Sequence, residues 1–342
     1  MHFMQQEIYE QPSIIERLDR LIVPKLIMFR ELFVQKNPKH IILAARGSSD
    51  NACQYFRYIE EIFYGLPVSF AAPSIVSMYQ SKLNYEHALV IGVSQSGQAQ
   101  DVLAVMRQAK EQTALVISIT NDLTSPMAVE ADLAFGLYAN RELSVAATKT
   151  FTTELYVLAK IVSVLTNKSL DNELKIVPDT MEKVFAIEDS INKVAQLFSS
   201  IKETYLLARG PLYAIAQEGA LKLLETTYIH AKAYSTSDFH HGPFAVIDEK
   251  AHIIVFLEKG VMYQNTLEMI NKIELSHGKL IIFTNDSNYS NRHPVVYLPE
   301  TGLVSSAFVF SAAIQLFAYH IAIAKGLNPD EPRGLKKVTI TK

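Results

Sequence analysis

The stretch IILAARG, Ile41 to Gly47, is a run of apolar residues that stops at a glycine, the pattern of a buried strand feeding a turn. YLLARG, Tyr205 to Gly210, repeats it. The two glycines lie 163 positions apart (210 − 47), and each is followed by a helix-length segment, Asn51 to Phe63 in one case and Leu212 to His230 in the other. A second pair of strands follows in the same order, ALVIGV (Ala88 to Val93) and HIIVFL (His252 to Leu257). A third pair is ALVISITND (Ala114 to Asp122) and KLIIFTND (Lys279 to Asp286), with Thr120-Asn121-Asp122 opposite Thr284-Asn285-Asp286 at an offset of 164. Equal order and nearly equal spacing indicate a duplicated domain.

Within each copy, short apolar strands alternate with helix-length segments. This predicts an α/β fold of two tandem doubly wound parallel-sheet domains, with helices on both faces of each sheet. The boundaries read as a helical arm over residues 1–38, a first domain over 39–166, a helical connector over 167–203, a second domain over 204–327 and a tail over 328–342. The longest apolar run, Ala307 to Ala324, approaches membrane length but contains Gln315 and His320, and it reads as a buried helix. Pro329 and Pro332 prevent its continuation.

The remaining composition mostly excludes. A length of 342 residues suits two cores of ordinary size. The net charge of −3 gives no general attraction to nucleic acid or anionic membrane, so any anion must be recognised locally. The single cysteine, Cys53, allows no intrachain disulfide and no cysteine zinc cluster, and it fits a reducing cytoplasm. The start, MHFMQQEIYEQ, has no signal-peptide pattern.

Two turns of the first domain follow strands directly, Gly47-Ser48-Ser49-Asp50-Asn51 and Ser94-Gln95-Ser96-Gly97. In doubly wound folds ligands bind where strands end, and helix N-terminal amides favour anions. Serine hydroxyls would add neutral donors, while glycine permits close approach. Ordinary helix capping by the same serines is the competing explanation. A hydrolase nucleophile elbow is disfavoured, because Ser96 stands where the second glycine belongs. The chain also lacks GxGxxG and GxxxxGK phosphate loops.

In the helix of the second copy, Glu218, Lys222 and Glu225 fall at i, i+4 and i+7 on one face. They form either a solvated ladder or, if desolvated, a proton-transfer group. Gly219 within this helix implies close packing or a ligand. The segment Asp238-Phe239-His240-His241-Gly242-Pro243 reads as a loop whose histidines could pass protons. Metal binding by His240 and His241 is disfavoured, since adjacent histidines need not face one ion.

Taken together, GSSDN, SQSG, VAATKTFTTE (Val145 to Glu154), EGALKLLE, HHGP and PRGLKKVTITK resemble the sugar isomerase (SIS) family from about residue 40 to the end. They are most similar to the isomerase half of glutamine-fructose-6-phosphate aminotransferases and to SIS-type glucosamine-6-phosphate deaminases. The resemblance implies that Gly47, Ser48, Ser49, Ser94, Gln95, Ser96 and Gly97 hold a sugar phosphate, with Val145 and Ala147 also at the substrate. It implies that Glu225 moves a proton between C1 and C2, that Lys222 stabilises the enediol and that Lys337 closes over the sugar. It further implies that His241 assists ring opening from the neighbouring subunit of a homodimer, with no metal or organic cofactor. Ala99 and Ala147 replace a Thr and a Ser of the synthase pattern. The synthase's glutaminase domain, with its N-terminal cysteine, has no counterpart before residue 40, where position 2 is His. The expected reaction is therefore conversion of glucosamine 6-phosphate to fructose 6-phosphate and ammonia in the cytoplasm. The alternatives are a fructoselysine 6-phosphate deglycase, an aminotransferase-like isomerase and a non-catalytic phosphosugar-binding regulator.

Overall fold

Parallel pairing of apolar strands sets the architecture. The computed structural model describes residues 2–167 and 169–337. Its first part runs α1 (Phe3–Tyr9), α2 (Gln11–Leu21), α3 (Val23–Lys36), β1 (His40–Ala44), α4 (Ser48–Phe63), β2 (Val68–Phe70), α5 (Pro73–Ser77), β3 (Ala88–Val93), α6 (Gln100–Lys110), β4 (Leu115–Thr120), α7 (Pro126–Glu130), β5 (Leu133–Gly136) and α8 (Lys149–Leu165). Helices α9 (Asp171–Lys175), α10 (Val177–Phe185) and α11 (Glu188–Phe198) follow. The remainder is β6 (Glu203–Ala208), α12 (Leu212–Thr227), β7 (His230–Ser235), α13 (Thr236–His240), a 3-10 turn at Pro243–Val246, β8 (His252–Leu257), α14 (Tyr263–Leu275), β9 (Lys279–Thr284), β10 (Val295–Tyr297) and α15 (Ser306–Ala324).

Two five-stranded sheets result, ordered β2-β1-β3-β4-β5 and β10-β9-β8-β6-β7. Read from its other edge, the second becomes β7-β6-β8-β9-β10, the same order as the first. Every pairing given is parallel, with Ile41 opposite Leu89 in one sheet and Tyr205 opposite Ile253 in the other. The duplication inferred from spacing is thus a duplication of topology. Two compact units form around these sheets. One contains residues 13–142 and 149–174 together with Lys336 and Lys337; the other contains residues up to 12, 143–148 and 175–335.

In the first unit all six positions of β3 and of β4 are buried, as strands covered on both faces require. In the second, α15 is long and apolar enough to cross a membrane, yet 89% of its apolar window is buried inside the protein. Its interrupting Gln315 is fully buried and accepts a 2.6 Å hydrogen bond from Gln11 Nε2, so the polar group is satisfied within the core.

Local boundaries depart from the sequence reading in three places. The expected turn residues Ser48 and Ser49 already belong to α4. Helix α12 stops at Thr227 rather than His230, because Tyr228 turns left-handed at φ 57° and His230 opens the strand β7. Asp238 to His240, expected in a loop, form α13, whose start is capped by the Ser235 side chain accepting from the Asp238 N–H.

One buried group opposes the fold. Glu60, in the last turn of α4, is fully buried, and that burial pushes its carboxyl from about 4.5 up to about 7. The folded chain therefore holds a proton that the unfolded chain releases, and stability falls as pH rises from 4.5 to 7. Denaturant titrations of Glu60→Gln and the parent are expected to converge near pH 5, and the variant to become more stable by up to about 1.4 kcal/mol per pH unit across that window.

Candidate active site

A 2-1-3-4-5 strand order reverses direction between β1 and β3, and it is at the carboxyl ends of such strands that doubly wound folds bind their ligands. The two serine turns leave the sheet at this point. Gly47 adopts φ +58°, and α4 begins at the next residue. Ser49 is buried, and its hydroxyl donates to Glu154 Oε1 at 2.9 Å. That contact gives the Glu closing VAATKTFTTE a partner, and it turns the Ser49 hydroxyl inward, away from the turn.

The Ser94–Gly97 turn is pinned to the end of β4. The Ser94 N–H donates to the Ile119 carbonyl at 3.1 Å, and the Gln95 carbonyl accepts from the Asn121 N–H at 3.0 Å. Ser94 Oγ accepts from the Gly97 N–H, and Ser96 Oγ from the Gln98 N–H. Both oxygens act as acceptors, so each O–H proton is left to donate outward. The turns are also joined by charge, since Arg46 places Nε 2.8 Å and Nη2 2.7 Å from Asp101 Oδ2. The sequence reading, built on neutral donors, missed this pair. Its only signal was an arginine before Gly47 and an aspartate in the first turn of α6.

The two turn glycines carry different constraints. Both have positive φ, but a Cβ on Gly47 would meet open space, whereas one on Gly97 would lie 2.0 Å from Ser125 Oγ. Gly47→Ala is expected to lower the unfolding free energy by about 1–3 kcal/mol, from backbone strain alone, since φ 58° with ψ −131° lies outside the left-handed helical well. Gly97→Ala should cost roughly 2–5 kcal/mol, because overpacking adds to the strain. Chemical denaturation of both variants checks the contrast.

In the second unit, α12 brings Glu218, Lys222 and Glu225 together. Lys222 Nζ lies 3.2 Å from Glu218 Oε1 and 2.6 Å from Glu225 Oε2. The side chains of Lys222 and Glu218 are fully buried, and that of Glu225 is 21% exposed. A solvated ladder is thereby excluded. Burial disfavours the Lys222 charge, but the two carboxylates outweigh it and hold the ammonium above its ordinary range. Gly219 is explained by packing, since a Cβ there would lie 2.6 Å from Ile314 Cγ1 and 2.9 Å from Leu206 Cδ2. Just past the helix, the Tyr228 hydroxyl accepts from the Arg333 N–H at 2.8 Å, and the Arg333 guanidinium stands 4.2 Å over its ring.

Removing Lys222 leaves the buried Glu218 carboxylate, and the part-buried Glu225 carboxylate, without their shared cation. Lys222→Met is expected to destabilise the protein by about 3–5 kcal/mol. Adding Glu218→Gln should recover part of that loss, as read from urea midpoints.

The other expected residues stand at separate stations. Lys337 Nζ lies 2.5 Å from Glu142 Oε2, and that buried carboxylate also accepts from the Thr150 N–H and Oγ1. Glu142 was not legible in the sequence, where it is an ordinary acidic residue in a polar stretch. The tail beyond Lys337, expected to help close the site, lies outside the described residues. Val145 donates its N–H to the Asp330 carbonyl at 3.1 Å, and both Val145 and Ala147 are partly exposed. His241 is exposed and donates its N–H to the Asp238 carbonyl. His240 Nε2 lies 2.9 Å from Lys272 Nζ, and the two histidine rings are 6.2 Å apart. Among the described residues no group of three or more His, Cys, Asp or Glu side chains is placed to hold a metal.

The family model of the SIS domain matches residues 35–163 and again 197–325, the two halves that carry the repeated strands. The chain belongs to the SIS domain family. It is 32% identical to a glutamine–fructose-6-phosphate aminotransferase (isomerizing) of Zymomonas mobilis over 99% of its own length. It spans 59% of the length of that relative. Among solved SIS structures, the C-terminal domain of glucosamine-fructose-6-phosphate aminotransferase from Francisella tularensis superposes with a TM-score of 0.88 at 32% identity, covering 97% of this chain and 98% of that one. Glucosamine-6-phosphate deaminase from Thermotoga maritima shares the fold, with a TM-score of 0.80 at 21% identity over 99% of this chain and 100% of that one.

Proposed function

We propose that this protein isomerises the open-chain form of an amino-sugar 6-phosphate, converting glucosamine 6-phosphate and water to fructose 6-phosphate and ammonia. The observation that carries the reading is the state of Glu225. Its carboxylate reaches the surface while the fully buried Lys222 ammonium holds it from behind, a pairing suited to taking and returning one proton. Glu225 removes the proton from C2 of the opened sugar and returns it to C1. Lys222 balances the negative charge that develops between these steps. The product is the 2-imine, which water hydrolyses to the ketose and ammonia.

The Ser48–Ser49 and Ser94–Gly97 turns are assigned the 6-phosphate. Lys337 is assigned to the sugar, held ready by Glu142. His241 is assigned to ring opening in the site of a neighbouring subunit of a homodimer. The exposure of the segment around it supports that assignment, since Val246 is 46% exposed although apolar. Nothing in this chemistry calls for a metal or an organic cofactor.

The test is release of ammonia and fructose 6-phosphate from glucosamine 6-phosphate by the purified protein. Glu225→Gln is expected to reduce the rate by about 10²–10⁴-fold. Mixing Glu225→Gln with His241→Asn should regenerate roughly a quarter of the sites through hybrid dimers. Amine release from a fructosamine 6-phosphate without ammonia from the amino sugar would replace the deaminase reading with a deglycase. Undiminished turnover by Glu225→Gln would overturn both.

A further inference from the structure

The serine turns of the first unit have fewer donors to offer an anion than their sequence suggests. Ser49 gives its O–H to Glu154, and Ala99, at the start of α6, has no side-chain donor. Asp101 follows two residues later, in the first turn of α6, with its side chain only 2% exposed. By itself a carboxylate there would repel a phosphate. Arg46 offsets it. Its guanidinium is always charged, and it stands 2.8 Å through Nε and 2.7 Å through Nη2 from a single oxygen, Asp101 Oδ2.

The way this pair is made leaves a second edge of the guanidinium for a ligand. Nε and Nη2 form the edge that faces Asp101. Nη1 and the other N–H of Nη2 form the adjacent edge, whose two parallel donors match two phosphate oxygens. The Arg46 side chain is 51% exposed although its partner is buried, so it is a surface arginine held in one orientation from below. Its place in the chain puts it at the turns, since Arg46 immediately precedes Gly47 and Asp101 stands four residues past Gly97. There is room beside it, because a Cβ on Gly47 would meet no atom within 4 Å.

We propose that Arg46 is a specificity-determining residue of this site, forking its outer edge onto the phosphate of a phosphorylated sugar, and that Asp101 is the positioning residue that aims it. This role rests on the assignment of the phosphate to the two serine turns. It adds a charged donor through which the site prefers a phosphorylated sugar to the same sugar without its phosphate. A pair that merely tied the turns together would affect both ligands alike.

Isothermal titration calorimetry with fructose 6-phosphate, and with fructose as the unphosphorylated control, tests this without requiring turnover. Arg46→Gln alone would strand the buried Asp101 carboxylate, so it is combined with Asp101→Asn, which removes both charges, and circular dichroism checks the fold. The double variant is expected to bind fructose 6-phosphate about 10–100-fold more weakly than the parent, with any affinity for fructose unchanged. Arg46→Lys keeps a cation beside Asp101 but loses the fork, and its loss should fall at the lower end of that range even if the double variant misfolds. In ammonia release from glucosamine 6-phosphate, the same variants should raise KM more than they lower kcat. Parental affinity for fructose 6-phosphate in the folded double variant, or in Arg46→Lys where only that variant folds, overturns the proposal and leaves the serine turns assigned. Equal losses for fructose and fructose 6-phosphate also overturn it, since they reduce the pair to a structural tie. A parent that gains no affinity from the phosphate overturns it together with the phosphate assignment. Phosphate-dependent binding that is lost in the variants, from a parent that releases no ammonia, supports Arg46 and overturns the proposed reaction only.

Discussion

In a parallel sheet every strand delivers its carboxyl end to the same edge, because each connection must carry the chain back before the next strand begins. That constraint organises both units of this protein, with helices in every connection except the loop from β9 to β10. The 2-1-3-4-5 order adds a reversal between the first and third strands, and the turns leaving those strands stand side by side. Gly47 and the Ser94–Gly97 turn meet for this reason alone, although nearly fifty residues separate them in the chain. The Arg46–Asp101 pair then ties the two turns together.

The two copies share this geometry and differ in what they present on it. Where the first has Gly47-Ser48-Ser49, the second has Gly210-Pro211-Leu212, and the proline removes a main-chain donor at the helix start. Where the first has Ser94-Gln95-Ser96-Gly97, the second has Glu258-Lys259-Gly260-Val261, with no serine hydroxyl and with its Lys259 paired to Glu300. The second copy places its buried Glu218-Lys222-Glu225 cluster in the helix that follows its first strand. Duplication thus produced two equivalent frames, and substitution at the strand ends gave them different side chains.

Burial determines what that helix can do. On the surface, Glu218, Lys222 and Glu225 would form a salt-screened ladder worth a few tenths of a kcal/mol per pair. Out of water, the lysine charge is retained only because two carboxylates lie against it. On the same helix, glycine at position 219 lets α12 pack closely on Ile314 of α15 and Leu206 of β6. The tail follows the same logic at Glu142, a buried carboxylate that is matched by Lys337 and Thr150.

The three central strands of each copy, their order along the chain, the duplication and the serine turns were legible in the sequence, because apolar runs and glycine stops are local properties of the chain, whereas the edge strands β2, β5, β7 and β10 were not. The motifs at 94–97, 218–225 and 240–243 were also visible there as residue types in a fixed order. The inward turn of the Ser49 hydroxyl onto Glu154 was not visible. Neither were the Arg46–Asp101 tie, the partnership of Glu142 with Lys337, and the end of α12 at Thr227 in favour of the edge strand β7. Each of these depends on contacts between residues far apart in the chain, or on how deeply a side chain is removed from water. Spacing placed Glu218, Lys222 and Glu225 on one face, and only the packed structure decided that the face is dry, which separates a solvated ladder from a candidate proton-transfer group.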